Sequence, residues 1–215
     1  WGGDPQADWG GLAGSLRGAL SWGMSGAPFY ATDVGGFYKD TRDSELFARW
    51  NQAAVFSAHV RLHGIGAREP WSYEKEAEDA ANKALKLRYR LLPYIKQTAQ
   101  NASETGLPMM RAMSLAFPDQ PISWSFEDQF MFGNDLLVAP CLKPGGEVSC
   151  YLPDGEWLWF ENAEKFSGNQ LVKKQLKLDQ MAVFVRKGAR IPLGEDVENT
   201  EQLAHIDNIT QYWPS

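Results

Sequence analysis

The chain has 215 residues, 44% of them apolar and 22% charged, and its longest apolar runs fall far short of the ~20 residues that a membrane-spanning helix needs. With 27 acidic against 21 basic side chains the formal net charge is −6, and Lys and Arg are scattered, so a nucleic-acid backbone finds no electrostatic footprint. Composition thus points to one core-forming domain or two small ones, away from disorder, membrane insertion and nucleic-acid binding.

In chain order, the opening Trp1-Gly2-Gly3-Asp4, without initiator Met or signal-like segment, predicts a piece of a longer protein. Asp8 predicts the cap of a helix over roughly residues 9–23, where Trp9, Leu12, Ala13, Leu16 and Leu20 recur at helical spacing. Residues 26–34 read as a strand entered through Gly26-Ala27-Pro28 and left through Gly35-Gly36. A helix over about 43–57 and a short strand over 58–62 follow. A long helix over about 74–100 carries an apolar face from Ala77 to Ile95, with Pro93 kinking it or starting a new segment. Strand, helix, strand, helix without hairpin turns predicts parallel crossover units, hence an α/β sheet or barrel.

Beyond a boundary near residues 104–110 the reading changes to strands over 109–116, 136–142, 147–152, 156–160, 171–178 and 181–193. They are separated by turn signals such as Pro144-Gly145-Gly146 and Pro153-Asp154-Gly155, the pattern of an antiparallel sandwich. Cys141 and Cys150 are too few for a disulfide scaffold or a Cys-based zinc site and read as buried thiols. Asn101 and Asn208 head sequons, which matter only in a secretory pathway, and no pattern assigns the chain to one.

Side chains just beyond the carboxyl ends of parallel strands are the first candidates for chemistry. Asp4, after Gly2-Gly3 and near Trp1, reads either as a general acid whose pKa a nearby indole can raise or as a turn residue beside Pro5. Asp33 ends a strand before Gly35-Gly36-Phe37, as a hydroxyl-binding carboxylate or a loop cap. His63 precedes a Gly-rich loop, as a donor to a sugar oxygen or a structural imidazole. His59 and His205 read as structural. The histidines lack HExxH or other ligand spacing, so no metal is expected. With no GxSxG, GxxxxGK[ST] or GxGxxG motif, carboxylate chemistry remains. The 9 tryptophans add aromatic faces of the kind that stack on the C–H faces of sugar rings.

An ordered series of motifs carries a resemblance. Trp1-Gly2-Gly3-Asp4, the run Ser15 to Gly26, Thr32-Asp33-Val34-Gly35-Gly36-Phe37, Arg61-Leu62-His63-Gly64, Arg68-Glu69-Pro70-Trp71, Tyr89 to Tyr94, Pro108 to Met113, Leu136 to Pro140 and Tyr151 to Trp157 together resemble the α-glucosidase and α-xylosidase family, glycoside hydrolase family 31. By that resemblance residues 1–104 are the C-terminal part of a (β/α)8 catalytic barrel and residues 105–215 a β-sandwich domain. The activity implied is a retaining, exo-acting α-glycosidase acting on an oligosaccharide or glycoside. Asp4 matches the acid/base; Asp33 and His63 match residues that bind sugar hydroxyls; Phe37 matches an aromatic wall and Trp1 a substrate contact.

The family's nucleophile and an Arg before the Trp-x-Gly-Asp motif are expected upstream of Trp1, so the chain by itself is expected to be inactive. Xylose versus glucose specificity stays open, as do a transglycosidase or lyase on the same scaffold and a non-catalytic carbohydrate-binding module. Open barrel edges predict self-association, swapped edges or loop disorder around residues 1–25 and 64–72.

Overall fold

A computed structural model describes residues 1–39, 42–202 and 209–214. Helix α1 (Trp9–Met24) begins where Asp8 accepts a 2.7 Å hydrogen bond from the Gly11 N–H, as the sequence predicts. Strand β1 (Asp33–Val34) leads to α2 (Ser44–Ala54), capped by Asp43 through the Leu46 N–H. Strand β2 (Arg61–Leu62) lies parallel to β1, with Asp33 opposite Arg61. The predicted long helix is two helices, α3 (Lys75–Arg90) and α4 (Leu92–Thr105), which meet at Leu91, just before Pro93. Gly106, left-handed at φ 76°, ends α4.

The predicted strands 26–34 and 58–62 shrink to two residues each. The reason is visible in the hydrogen bonds. Ala31 O accepts from the Gly2 N–H, Tyr30 O from Ala58 and Pro28 O from Met109, so this stretch is shared among separate segments instead of one ladder partner.

The second half opens with β3 (Met110–Ala112), which runs into the one-turn helix α5 (Met113–Ala116) where a longer strand was expected. Then come β4 (Phe130–Phe132), β5 (Leu136–Val138), β6 (Glu147–Leu152), β7 (Glu156–Trp159), β8 (Lys165–Ser167), β9 (Gln170–Gln175), β10 (Val183–Arg186), β11 (Ile191–Leu193) and β12 (Gln211–Trp213). The predicted strand 181–193 breaks at Gly188, whose φ of 87° turns the chain between β10 and β11. A six-stranded antiparallel sheet has the order β3-β4-β5-β10-β7-β8; β6 pairs with β9, and β11 with β12.

Both faces of the six-stranded sheet are buried, and the alternation of side chains shows how. Phe130, Phe132, Leu136, Val138, Val183 and Val185 join Leu12, Trp50, Leu91 and Tyr94 in one core against the helices. Their neighbours Met131, Leu137 and Phe184 join Val148, Cys150, Leu152 and Val172 in a second core beneath the β6–β9 pair. The layers are therefore helices, six-stranded sheet and the β6–β9 pair. Cys141 and Cys150 are separate buried thiols, and burial pushes the Cys150 thiol pKa up. The sequon residue Asn101 sits inside α4, and its side-chain oxygen accepts from Arg111 at 3.1 Å.

Arg49 joins the two halves. Its side chain is 1% exposed and donates to Gln52 Oε1 and to the carbonyls of Leu176, Lys177 and Gln180, at 3.0–3.3 Å, with the Glu45 carboxylate 3.7 Å away. Arg88, likewise buried, closes the end of α2 by donating to Val55 O, Ser57 O and Ala58 O. Desolvation lowers its pKa to about 10, which leaves it cationic at neutral pH. The exposed Lys83–Asp179 pair, 2.7 Å, also crosses between the halves.

Arg49→Met removes the Arg49 donors to Leu176 O and Gln180 O, while Lys177 O keeps its bond from the Gln180 N–H, and is expected to cost about 3 kcal/mol, a fall of roughly 10 °C in thermal midpoint. Lys83→Met, which removes only the exposed pair, is expected to cost less than about 1 kcal/mol. Differential scanning calorimetry of both variants checks the contrast.

Candidate active site

The site is assembled from three loops at the carboxyl ends of β1 and β2. The first, residues 1–7, is tied at two points. The Gly2 N–H donates to Ala31 O at 3.0 Å, and Pro5 O accepts from the N–H groups of Phe37 at 2.7 Å and Tyr38 at 3.1 Å. Asp4 lies between these ties. Glycine is required at both contact points. A Cβ on Gly2 would fall 1.9 Å from Tyr30 Oη, and one on Gly36, where φ is 82°, would fall 2.4 Å from Ala7 Cα.

Next comes the loop after β1, residues 35–39. Phe37 O accepts from the Ile65 N–H at 3.0 Å, and the Phe37 ring lies 5.6 Å from that of His63, which follows β2. Residues 64–72, expected to be loose, are held by the buried Arg68. Its guanidinium donates to Gly36 O at 2.8 Å, Lys39 O at 2.7 Å and Ala67 O at 2.9 Å. Residues 9–24 of the other segment expected to be loose are helix α1.

Asp33 is 0% exposed. Its Oδ1 accepts from Arg61 Nε at 2.6 Å and forms an ion pair with Nη2 at 2.6 Å, while Oδ2 is buried with no hydrogen-bond partner among the described residues. The Arg61 guanidinium lies 5.0 Å from the centre of the Trp1 ring, so Trp1, Arg61 and Asp33 form one stack of aromatic, cation and carboxylate. These residues, with Phe29, Tyr30 and Thr32, line an open cleft of about 480 Å³.

The candidates thus fall into linked groups: Trp1 with Asp33 at the cleft, Phe37 with His63, and Asp4 joined to Phe37 through Pro5. The expected shielding of Asp4 by Trp1 is not found. Asp4 is exposed, and the indole, itself 59% exposed, faces Arg61. Arg61 is the residue that sequence reasoning missed as a site member; its register opposite Asp33 on a parallel strand was the available signal. His59, read as structural, also lines the cleft. His205 and the sequon residue Asn208 lie outside the described residues.

Comparison with known proteins identifies the scaffold. Residues 1–98 match the model of the glycosyl hydrolases family 31 TIM-barrel domain, and residues 106–191 match that of the family's C-terminal domain. The chain belongs to glycoside hydrolase family 31. An α-xylosidase of Saccharolobus solfataricus is 34% identical over 220 residues, which cover 99% of this chain and 30% of that protein. Alpha-glucosidase 2 of Bacillus thermoamyloliquefaciens is 33% identical over 94% of this chain and 26% of its own length. Among solved structures, a family 31 dextranase of Flavobacterium johnsoniae complexed with isomaltotriose superposes with a TM-score of 0.83 at 37% identity, covering 88% of this chain and 24% of that one. The chain therefore spans about 30% or less of the length of these relatives. Their family is one of glycosidases, and the fold is the family's barrel part followed by its C-terminal domain.

Arg61→Ala removes the partner of the buried Asp33 carboxylate, and is expected to destabilise the chain by roughly 1–3 kcal/mol. Adding Asp33→Asn, which removes the stranded charge, is expected to restore part of that loss. Urea denaturation of both single variants and the double variant measures the coupling.

Proposed function

We propose that this chain carries the acid/base part of a retaining, exo-acting α-glycosidase of α-xylosidase or α-glucosidase type, which releases terminal α-linked sugars by double displacement. One observation carries the reading: the buried, unpartnered Oδ2 of Asp33 in a cleft walled by an indole and a guanidinium. A bare carboxylate oxygen in the interior is costly, and a sugar hydroxyl donating to it removes the cost while Trp1 covers an apolar ring face. Oligosaccharide binding by the dextranase relative supports the same ligand class.

In this scheme Asp4 protonates the departing glycosidic oxygen and then takes a proton from the incoming water. Its exposed position on a loop pinned by Gly2 and Pro5 leaves it open to leaving group and water. Asp33 and His63 hold the hydroxyls of the sugar being released, with Phe37 and Trp1 as aromatic walls. Arg61 fixes the orientation of Asp33. Contacts to hydroxyls that tighten as the ring flattens toward an oxocarbenium ion lower the barrier as well as aiding binding. The nucleophile, a second carboxylate about 5–5.5 Å from the acid/base in a retaining enzyme, is assigned to polypeptide preceding Trp1. Residues 1–104 then act as the closing part of the catalytic barrel and residues 105–215 as its supporting sandwich. The reaction needs only carboxylates, with no cofactor.

The 215-residue chain is expected to release no p-nitrophenol from p-nitrophenyl α-xyloside or α-glucoside, and to self-associate through the open edge of β1. The same residues in a polypeptide that also supplies the upstream strands are expected to release an α-configured sugar, followed by NMR. There, Asp4→Ala is expected to lower turnover by about 10²- to 10⁴-fold. Turnover by the 215-residue chain, or an unaffected Asp4→Ala, would overturn the assignment.

A further inference from the structure

A second cleft lies away from the carboxylate face. It is a cleft of about 580 Å³ between the exposed side of α3, the β7–β10 edge of the sandwich and the terminal strand β12. Its volume falls in the range of sites that take small organic ligands, roughly 300–1,000 Å³. None of the residues assigned to the glycosidase site lines it.

The floor is apolar and aromatic. Leu87, Val183 and Leu193 lie beside Phe160 and Trp213, whose rings stack with centroids 5.1 Å apart at 19°. Both aromatic residues are only half-buried. The rim interleaves opposite charges. Lys83 pairs with Asp179 at 2.7 Å, Arg90 donates to Gln211 Oε1 at 3.3 Å, and Gln180 donates to the Glu161 carboxylate at 3.0 Å. Asn82, Lys86 and Asp196 also line the rim, and among the described residues no hydrogen bond or ion pair engages their side chains.

These features select a ligand class. Lys83, Lys86 and Arg90 nearly balance Asp79, Glu161, Asp179 and Asp196 in the lining, so no strong net field favours an anion or a cation. An apolar aromatic floor beside the unengaged side chains of Asn82, Lys86 and Asp196 suits a neutral molecule that has flat C–H faces and many hydroxyls. We infer that this cleft is an ancillary carbohydrate-binding site, holding a stretch of the oligosaccharide substrate on the outer helix layer while the carboxylate face acts on a chain end. The inference rests on the glycosidase reading for its ligand class, but it uses different residues.

Isothermal titration of the 215-residue chain with isomaltotriose tests it. Binding is expected to persist in Asp33→Ala and to weaken by about tenfold or more in Trp213→Ala. Because Trp213 also belongs to β12, a second variant guards against misfolding. Asn82→Trp plugs the cleft from the surface of α3, and is expected to weaken binding equally with an unchanged far-UV circular dichroism spectrum. Binding that is lost in Asp33→Ala and intact in Asn82→Trp would overturn the cleft while leaving the carboxylate-face reading in place. Absence of any binding at millimolar isomaltotriose would also overturn it. Persistence in Asp33→Ala with loss in Asn82→Trp supports it, whatever the turnover experiment shows.

Discussion

Donation from buried guanidinium groups to main-chain carbonyls is the interaction on which this structure depends. A barrel portion with two-residue strands leaves much of its backbone outside any ladder, and buried carbonyls without partners cost as much as lost hydrogen bonds. Arg88 supplies the carbonyls where α2 ends, Arg68 those of the loops at the site, and Arg49 those of the sandwich turn that rests on α2. A guanidinium has the right form for this, because its five N–H donors fan out in one plane and reach several segments from a single side chain.

The same logic explains why the site holds its shape. Arg68 ties the loop after β1 to the loop after β2, and the Pro5 carbonyl ties both to the segment that bears Asp4. Asp33 Oδ2 is one of four buried side-chain polar atoms without a partner among the described residues, with Arg49 Nε, Trp50 Nε1 and Asn51 Oδ1, and Asp33 alone of these residues lines the cleft beside Trp1 and Arg61. Under the proposed function, a sugar hydroxyl would donate to Asp33 Oδ2.

Helix α1, its Asp8 cap, the Asp43 region and the break at Pro93 were legible because caps and proline act within a turn of where they stand. Strand β6 was legible to the residue, since Glu147 to Leu152 lies between clear turn signals. Strand β4 was not. Phe130-Met131-Phe132 lacks polar alternation because both faces of its sheet are buried, so the period-2 signal vanishes where burial is greatest. Strands 26–34 and 58–62 were drawn too long for another reason: strand length depends on a ladder partner, and the hydrogen bonds here go to several segments.

By itself, the sequence determined the two-part architecture and the family, and it named the candidate residues of the site, because turn chemistry, periodicity and ordered motifs are local properties of the chain. Only the tertiary structure decided which of those residues meet. Arg61 joins Asp33 because a parallel register sets them opposite each other, Trp1 faces Arg61 instead of shielding Asp4, and β12 closes a cleft with α3 from far along the chain. Such pairings depend on distances across the fold, which no spacing along the chain encodes.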